Sequence, residues 1–318
     1  MIFDGDSSVF AAIKEKRRRM RAGESHDDIQ PLIIFGGGLM KGAYGAGAAL
    51  ALEELGYRES FSQVVGVSSG APIAAHFVAG TVGTGMSLLT EECCARQFIN
   101  PWRIWNQVDT MYLMRIMRSG PPKGVTVEQI LGAPATLYFG VSEYETGRPK
   151  LIRVSDEATL FDGMHASMTM QNVTRHRTYI DGVHYADGGF TKPHIFQEVI
   201  DQLTATHILV VTNNDRVFGA LSQFERFMNR TLFRLRLNGP QVTAINGRRE
   251  EREKAIFSLW SSGIPSGIVW GDGSVKSLDR NPERLAAAVE SSRVWWYGML
   301  GDDATTQNAT DKKARNLG

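Results

Sequence analysis

Cysteine is scarce in this sequence of 318 residues, which contains only Cys93 and Cys94. Vicinal cysteines rarely bridge one another, so the chain has no basis for a disulfide framework or for a zinc cluster built from thiolates. Both cysteines lie in residues 88–98, which we predict to be helical. We expect two buried, unreactive thiols.

Long apolar runs and an excess of charge of either sign are also missing. No run approaches the roughly 18 apolar residues of a membrane span. The start carries Asp4 and Asp6 with no apolar segment after them, unlike a secretory signal. The formal net charge of +1 gives no reason to expect a nucleic-acid partner. We therefore expect a globular protein of the cytoplasm.

The first segment of the chain is basic. Residues 7–22 predict a helix, and most of residues 14–21 are Lys or Arg. Such a segment would suit contact with an anionic membrane or a phosphate. We favour a solvated helix face, because the apolar face formed by Phe10, Ile13 and Met20 is thin.

A glycine-rich turn follows the first strong apolar run. Residues 31–35 predict a strand buried on both faces. The turn after it reads Gly36-Gly37-Gly38-Leu39-Met40-Lys41-Gly42. A helix over residues 43–55 and an apolar strand over residues 64–67 come next. This βαβ unit predicts a parallel sheet with helices on its faces.

The glycine turn has three functional interpretations. A P-loop requires Lys followed by Ser or Thr, whereas Lys41 is followed by Gly42. A dinucleotide-binding loop requires Gly-x-Gly-x-x-Gly, which the chain does not complete here. The third is an oxyanion hole, because backbone N–H groups of successive glycines can point into one spot. A purely structural turn is the alternative, but three consecutive glycines are entropically costly to order.

The candidate nucleophile lies in a second motif, Gly66-Val67-Ser68-Ser69-Gly70. Gly-x-Ser-x-Gly is typical of a serine on a sharp strand-to-helix turn, where the two glycines avoid collisions. The turn would expose the Ser68 hydroxyl at the carboxyl edge of the sheet, above a helix N-terminus. Ser142 also belongs to a Gly-x-Ser sequence, but the second glycine is missing, and we reject it as the nucleophile.

The remaining chain predicts further strands and helices. Asp181-Gly182 predicts a hairpin turn, and Asp187-Gly188-Gly189 ends a short strand and opens a loop. Residues 80–85 predict a helix break. The predicted strands are 135–142, 149–154, 207–212 and 267–271. The predicted helices are 86–118 with an interruption at 100–101, 125–131, 160–171, 195–203, 218–237, 242–261 and 282–300.

Two apolar features have a structural and a functional interpretation. One is the set of aromatic and methionine residues between positions 98 and 117, which suits core packing or, less favoured, an acyl-chain pocket. Its members are Phe98, Trp102, Trp105, Met111, Tyr112, Met114 and Met117. The other is the helix predicted over residues 218–237, for which we favour an ordinary surface helix over a lid or a lipid contact.

The glycine turn, the serine motif and the Asp-Gly-Gly motif, in this order, resemble the patatin-like phospholipase family. The similarity covers roughly residues 30–213 and includes Ala166-Ser167 before the aspartate strand. It implies a three-layer α/β/α sandwich around a mostly parallel sheet, a Ser-Asp dyad, no catalytic histidine, no metal and no cofactor. The implied division is residues 1–29 as a basic helix and linker, 30–213 as the catalytic core, 214–300 as a mostly helical extension of the same domain, and 301–318 as a disordered tail.

The resemblance also implies roles for individual residues. Ser68 would be the nucleophile and Asp187 the base. The backbone N–H groups of Gly37 and Gly38 would donate to the oxyanion, and Gly36 is the alternative donor if the register of the loop differs by one residue. The residues that match the supporting motif positions are Lys41, Gly42, Gly66, Gly70, Gly188 and Gly189.

The chain departs from the family pattern at two places. The pattern has three glycines, one variable residue, a basic residue and glycine, whereas Leu39 and Met40 both separate Gly38 from Lys41. Either Leu39 replaces the third glycine or the loop is longer by one residue. The family also has a proline shortly after its Ala-Ser pair, where this chain has Met168-Thr169-Met170.

These patterns together predict a lipid acyl hydrolase or carboxylesterase that cleaves acyl esters, phospholipid or related. One alternative is a Ser-His-Asp hydrolase with His194 or His207 after the acid. Others are an acyltransferase or a protein that binds lipid or a partner without turnover. The expected partner is a lipid or acyl-ester substrate, with transient contact to a membrane surface as an open interpretation. Head group, acyl length and oligomeric state stay open.

Overall fold

The computed structural model describes residues 1–103, 106–170, 174–191, 195–216 and 248–301. Its strands are β1 (Ile2–Gly5), β2 (Pro31–Phe35), β3 (Gln63–Val67), β4 (Thr136–Glu143), β5 (Pro149–Arg153), β6 (Thr178–Ile180), β7 (Val183–Asp187), β8 (His207–Asp215) and β9 (Ser266–Gly271). Its helices are α1 (Ser8–Ala22), α2 (Ala43–Glu54), α3 (Gly70–Ala79), α4 (Val82–Ser87), α5 (Thr110–Met117), α6 (Val127–Leu131), α7 (Glu157–Met168), α8 (Gly188–Thr191), α9 (Phe196–Gln202), α10 (Arg248–Ser261) and α11 (Pro282–Leu300).

The strands form one sheet of nine, in the order β1-β9-β8-β2-β3-β4-β7-β6, with β5 also paired to β4. The five central strands from β9 to β4 are parallel to one another. Antiparallel pairs flank them, since β1 joins β9 and the hairpin of β6 and β7 joins β4. The predicted βαβ unit and the predicted hairpin at Asp181-Gly182 are both confirmed.

Alternate side chains of the buried strands enter two separate cores. Ile33 and Phe35 of β2 pack on the side of α2, α3 and α11. Leu32 and Ile34 of the same strand pack on the side of α9 and α10. A strand turns successive side chains to opposite faces, so these continuous apolar runs need helices on both sides. The predicted three-layer α/β/α arrangement is confirmed.

The predicted break of the helix after the serine turn is confirmed at Gly80, but it is shorter than residues 80–85, because α4 begins at Val82. Gly80 does end α3 in a left-handed conformation, with φ of 69°. The Glu53 carboxylate then accepts hydrogen bonds from the Val82 and Gly83 N–H groups at 3.1 and 3.2 Å. A carboxylate at a helix N-terminus satisfies donors that the helix leaves free. This partner lies about 30 residues away in sequence, so the local pattern gives no sign of it.

Other predictions also differ from the structure. Residues 88–98 are not one helix: a π-helical turn over Leu88–Glu92 precedes irregular turns, and the next helix begins only at Thr110. Cys93 is buried as expected, but Cys94 is only partly buried. Gly188 opens the short helix α8 where we predicted a loop. The first residues form β1, an edge strand that we did not predict and whose partner, β9, lies near the other end of the chain.

Several sequence predictions fall on residues that the structure does not describe. These are His194, Trp105, the helix over residues 218–237, the first part of the helix over 242–261 and the tail from residue 302. Among the helices of the described ranges, none combines the length and the apolar character that crossing a membrane requires.

Candidate active site

Ser68 lies on the sharp turn that the motif predicts. Its φ of 55° is in the left-handed region, a conformation that costs a non-glycine residue about 1–2 kcal/mol. The turn brings α3 directly against β2, since a Cβ on Gly70 would lie 2.0 Å from the Phe35 carbonyl oxygen. A Cβ on Gly66 would lie 2.7 Å from the Ala71 Cα. Both motif glycines are therefore required by close approach of the backbone.

The pairing of β4 with its neighbouring strands places Asp187 near Ser68. The register aligns Val67 with Gly140, while β5 occupies the opposite edge of β4 over the same residues. Asp187 aligns with Val141, and β5 pairs with Val141 as well. A strand has only two edges, so β7 must lie on the same edge as β3, just beyond its end. The chain after Val67 and the chain after Asp187 thus run toward one another and turn away at a single point.

Residues at the end of α7 form hydrogen bonds with both of these turns. The Ser167 hydroxyl accepts a hydrogen bond from the Ser68 N–H at 2.9 Å and donates to the Gly140 carbonyl at 2.7 Å. The Thr169 carbonyl accepts a hydrogen bond from the Asp187 N–H at 3.0 Å. This is the segment that lacks the proline of the family pattern, and Thr169 ends the helix in its place.

Loss of the Ser167 hydroxyl should impair the turn without removing the candidate nucleophile. In Ser167→Ala the buried Ser68 N–H loses its acceptor, which typically costs about 1–3 kcal/mol. We expect lower stability by that amount and slower reaction of Ser68 with a fluorophosphonate. Urea denaturation and labelling time courses measure the two effects. Wild-type labelling and wild-type stability in this variant would contradict the role assigned to Ser167.

The described contacts also select among the glycines of the loop. The Gly36 N–H donates to the Val211 carbonyl at 2.9 Å and so belongs to the sheet. A Cβ on Gly37 would lie 2.7 Å from the Ser68 Cβ and 3.2 Å from its Oγ. Gly37 is thus in direct contact with the serine. The N–H groups of Gly37 and Gly38 have no hydrogen-bond partner within the described ranges.

The conformation of Leu39 bears on the departure of the loop from the family pattern. Gly38 has a φ of 155° and Leu39 a φ of 54°. The second value is a left-handed conformation in which glycine is normally preferred. Leu39 therefore stands in backbone geometry suited to a third glycine, and its side chain lines the cavity described below. Of the two explanations, replacement of a glycine fits this conformation better than an insertion.

Asn213, a residue that our sequence analysis did not identify, holds the loop in place. Its side-chain Nδ2 donates to the Gly36 carbonyl at 2.5 Å, and its Oδ1 accepts from the Gly45 N–H at 2.8 Å. The side chain is fully buried at the end of β8. Lys41 forms an ion pair with Asp215, two residues farther on, at 3.6 Å. A polar side chain at the carboxyl end of an apolar strand was the available signal.

An apolar cavity of about 90 Å³ opens beside Ser68. Most of its lining side chains come from the glycine loop, α3, α4 and the segment around residues 86–113. They include Leu39, Met40, Ile73, Val82, Met86, Leu88, Leu89, Phe98, Val108, Leu113 and Met168. Such a surface favours an aliphatic chain over a charged ligand.

Of the residues that we considered for an acyl-chain pocket, only Phe98 lines this cavity among those described. Met114 and Met117 are buried in the main core, as the favoured interpretation predicts. Trp102 is 92% exposed. The pocket exists, but the glycine loop and α3 supply more of it than the predicted set does.

His207 does not form a triad with Ser68. His207 aligns with Pro31 at the start of β2, whereas Ser68 follows the carboxyl end of neighbouring β3. Four residues of strand separate the two ends of β2, which is about 13 Å at about 3.3 Å per residue. The interpretation of His207 as a catalytic partner is therefore wrong. Within the described residues, no group of three His, Cys, Asp or Glu side chains is arranged to hold a metal ion.

Two buried histidines affect stability instead. His165 lies between the hydroxyls of Thr110 and Thr178, at 3.0 and 2.7 Å. His76 contacts the hydroxyl of Thr81 at 2.9 Å and lines the cavity. Burial lowers the pKa of each imidazole from 6.5 to about 4. Both side chains are thus neutral at neutral pH.

The stability of the protein should fall as the pH drops from about 6.5 to about 4. In that window the unfolded chain binds protons on both histidines and the folded chain does not, which costs about 1.4 kcal/mol per pH unit for each. In His165→Gln, the loss of unfolding free energy between about pH 7 and pH 5 should shrink by about 2 kcal/mol. Urea denaturation measures it. An identical loss in His165→Gln and in the control His26→Gln would contradict this.

A model of the patatin-like phospholipase family matches residues 33–200, more than half of the chain. No curated protein matches the sequence. Among solved structures, VipD from Legionella pneumophila has 10% identity and a TM-score of 0.48, over 85% of this chain and 66% of VipD. The ExoU–SpcU complex from the type III secretion system of Pseudomonas aeruginosa has 17% identity and a TM-score of 0.34, over 84% of this chain and 52% of the matched one. This chain therefore spans about half to two thirds of the solved chains. The sequence resemblance is confirmed by the family model, and the chain belongs to the patatin-like phospholipase family.

Proposed function

We propose that the chain hydrolyses acyl esters of lipids through an acyl-enzyme on Ser68, with Asp187 as the general base. The observation that carries the proposal is the convergence of β3 and β7 on one point of the β4 edge, next to Ser68, which lines the apolar cavity. Asp187 is only 2% exposed, so its carboxylate is shielded from water. Family membership supports a lipid acyl hydrolase in general.

The reaction proceeds in two halves. Asp187 takes the hydroxyl proton while Ser68 Oγ attacks the ester carbonyl carbon. The negative charge that forms on the carbonyl oxygen is held by the N–H groups of Gly37 and Gly38, each such donor being worth about 2.7–4 kcal/mol in comparable sites. The C–O bond to the alcohol breaks and the proton from Asp187 goes to that alcohol. Water then attacks the carbonyl carbon of the acyl-serine while Asp187 takes a proton from it. The bond to Ser68 Oγ breaks, Asp187 returns the proton to that oxygen, and the carboxylic acid leaves.

The fixed backbone around the two residues favours this chemistry. The Gly189 N–H donates to Asp187 Oδ1 at 2.7 Å, which orients the carboxylate. A Cβ on Gly188 would lie 2.4 Å from the Gly140 carbonyl oxygen, so the Asp-Gly-Gly sequence allows β7 to close onto β4. The supporting glycines thus contribute through close packing, and Lys41 contributes through its ion pair beside the loop.

A serine-directed fluorophosphonate tests the proposal. The native chain should be labelled at one site, Ser68→Ala should not be labelled, and Ser142→Ala should be labelled like the wild type. Ser142 is the matched control because it belongs to another Gly-x-Ser sequence and is buried in β4. Equal labelling of Ser68→Ala would refute the assignment.

Two assays define the substrate class: hydrolysis of p-nitrophenyl esters of increasing chain length, and hydrolysis of phospholipid vesicles. Ser68→Ala is the blank in both. Labelling together with hydrolysis supports the proposal. Labelling without hydrolysis of any ester would refute the hydrolase activity, and acyl transfer to an added alcohol would then identify an acyltransferase.

A further inference from the structure

Trp102 is exposed to an unusual degree for so large an apolar side chain, at 92%. It follows Pro101, which is also exposed, in a segment that we call the arm and define as residues 98–103 and 106–109. An exposed indole leaves a large apolar surface in water. A single exposed apolar residue needs no functional explanation by itself. The residues around Trp102 decide whether its exposure indicates a binding surface.

The arm is closed at its base by backbone pairing. Ile99 and Val108 form an antiparallel bridge. The Asn100 N–H donates to the Gln107 carbonyl at 2.8 Å, and the Asp109 N–H donates to the Phe98 carbonyl at 2.8 Å. These bonds hold the two ends of the arm together, and the exposed Pro101 and Trp102 lie between them.

The base of the arm is also part of the cavity wall. Phe98 and Val108 both line the cavity beside Ser68, and both side chains are buried. The exposed Trp102 and the apolar cavity are therefore joined by one short piece of structure. A surface that contacts Trp102 would lie next to the wall of the candidate acyl site.

Exposed positive charge lies close to the arm. The Arg96 carbonyl accepts a hydrogen bond from Arg103 at 3.5 Å, and the Arg175 N–H donates to Asn106 Oδ1 at 3.2 Å. Arg96, Arg175 and Arg177 are all exposed, and none has an ion-pair partner in the described part of the chain. The acid within the arm, Asp109, is paired with Arg103 at 3.5 Å.

The basic segment of α1 is different. Arg18 pairs with Glu15 and Glu24 at 2.8 and 2.7 Å, and Arg19 pairs with Glu15 and Asp28 at 2.8 and 2.9 Å. These arginines are largely neutralised by their own neighbours. The favoured interpretation of α1 as a solvated face agrees with these pairs.

We propose that the arm, with Arg96, Arg175 and Arg177, docks on an anionic lipid surface. Indole rings favour the interface between head groups and acyl chains, and arginines beside them are attracted to anionic head groups. Docking brings the cavity wall to the surface from which a lipid would enter. This inference rests on the proposed function for its choice of a lipid surface.

Co-sedimentation with vesicles of phosphatidylcholine and phosphatidylserine tests the proposal in the Ser68→Ala background, where no substrate is consumed. Trp102→Ala should lower the partition coefficient about tenfold, and Arg175→Gln about fivefold. Phe257→Ala is the matched control, because Phe257 is 72% exposed on α10, in the opposite helix layer. It should bind as the parent does, and added salt should weaken binding of the parent.

Failure of the Ser68→Ala parent to sediment with these vesicles would overturn the docking proposal, as would equal losses in Trp102→Ala and Phe257→Ala. Thermal unfolding of each variant shows whether it has folded. The two proposals fail separately. Vesicle binding without fluorophosphonate labelling of the native chain refutes only the Ser68 mechanism, and labelling without vesicle binding refutes only the docking surface.

Discussion

Asp187→Asn is expected to lower kcat for ester hydrolysis by about 10³-fold, since general-base catalysis typically contributes about 10²–10⁴-fold. Asparagine has nearly the same shape and keeps an oxygen to accept the Gly189 N–H, now at 2.7 Å from Oδ1. It cannot take the proton from the serine hydroxyl. The fold and substrate binding should therefore be retained while the chemistry is lost.

Steady-state hydrolysis of a p-nitrophenyl ester measures this effect, with KM expected to stay close to the wild-type value. Asp181→Asn is the matched control. It makes the same chemical change six positions earlier in the same hairpin, at a turn residue with φ of 50°, which asparagine tolerates. A kcat for Asp187→Asn equal to that of Asp181→Asn would remove Asp187 from the mechanism.

Gly37→Ala is expected to slow labelling of Ser68 by about 10²–10³-fold, the usual effect of removing one oxyanion donor. The added methyl would lie 2.7 Å from the Ser68 Cβ, closer than two carbon atoms can approach, so the loop or the serine must shift. Gly36→Ala is the matched control, because its Cβ would meet the Val211 carbonyl oxygen at 3.4 Å, a distance at which small adjustments suffice.

The ratio of fluorophosphonate labelling rates in the two alanine variants measures the difference between these glycines, and thermal unfolding checks that both variants are folded. Slow labelling in Gly36→Ala with normal labelling in Gly37→Ala would move the oxyanion donors by one residue along the loop. It would also contradict the assignment of the Gly36 N–H to the sheet.

Local sequence was sufficient for the parts of the site that depend on neighbouring residues. The serine turn is such a case, because Gly66 and Gly70 have a steric role within a few residues of Ser68. The strands from β2 to β4 and α11 were also predicted closely, since apolar runs and helix-ending residues lie within each element. The resemblance supplied Asp187 as the partner of Ser68, which spacing alone did not.

Residues that act across long sequence separations were missed. Asn213 connects the glycine loop to α2 over more than 160 positions. Glu53 accepts a hydrogen bond from the first residue of α4, although it lies about 30 positions earlier in the sequence. β1 pairs with a strand that lies more than 260 positions later. In each case the partner is set by packing of distant elements, and a local pattern holds no information on it.

The sequence by itself determined that this protein has a buried parallel sheet, a strained serine after its second predicted strand and a glycine loop before it. Those features follow from local sterics and from the burial of continuous apolar runs. Only the tertiary structure decided which glycine contacts Ser68, and that β7 meets β3 on one edge of β4. Both depend on how strands far apart in sequence share the two edges that each strand has.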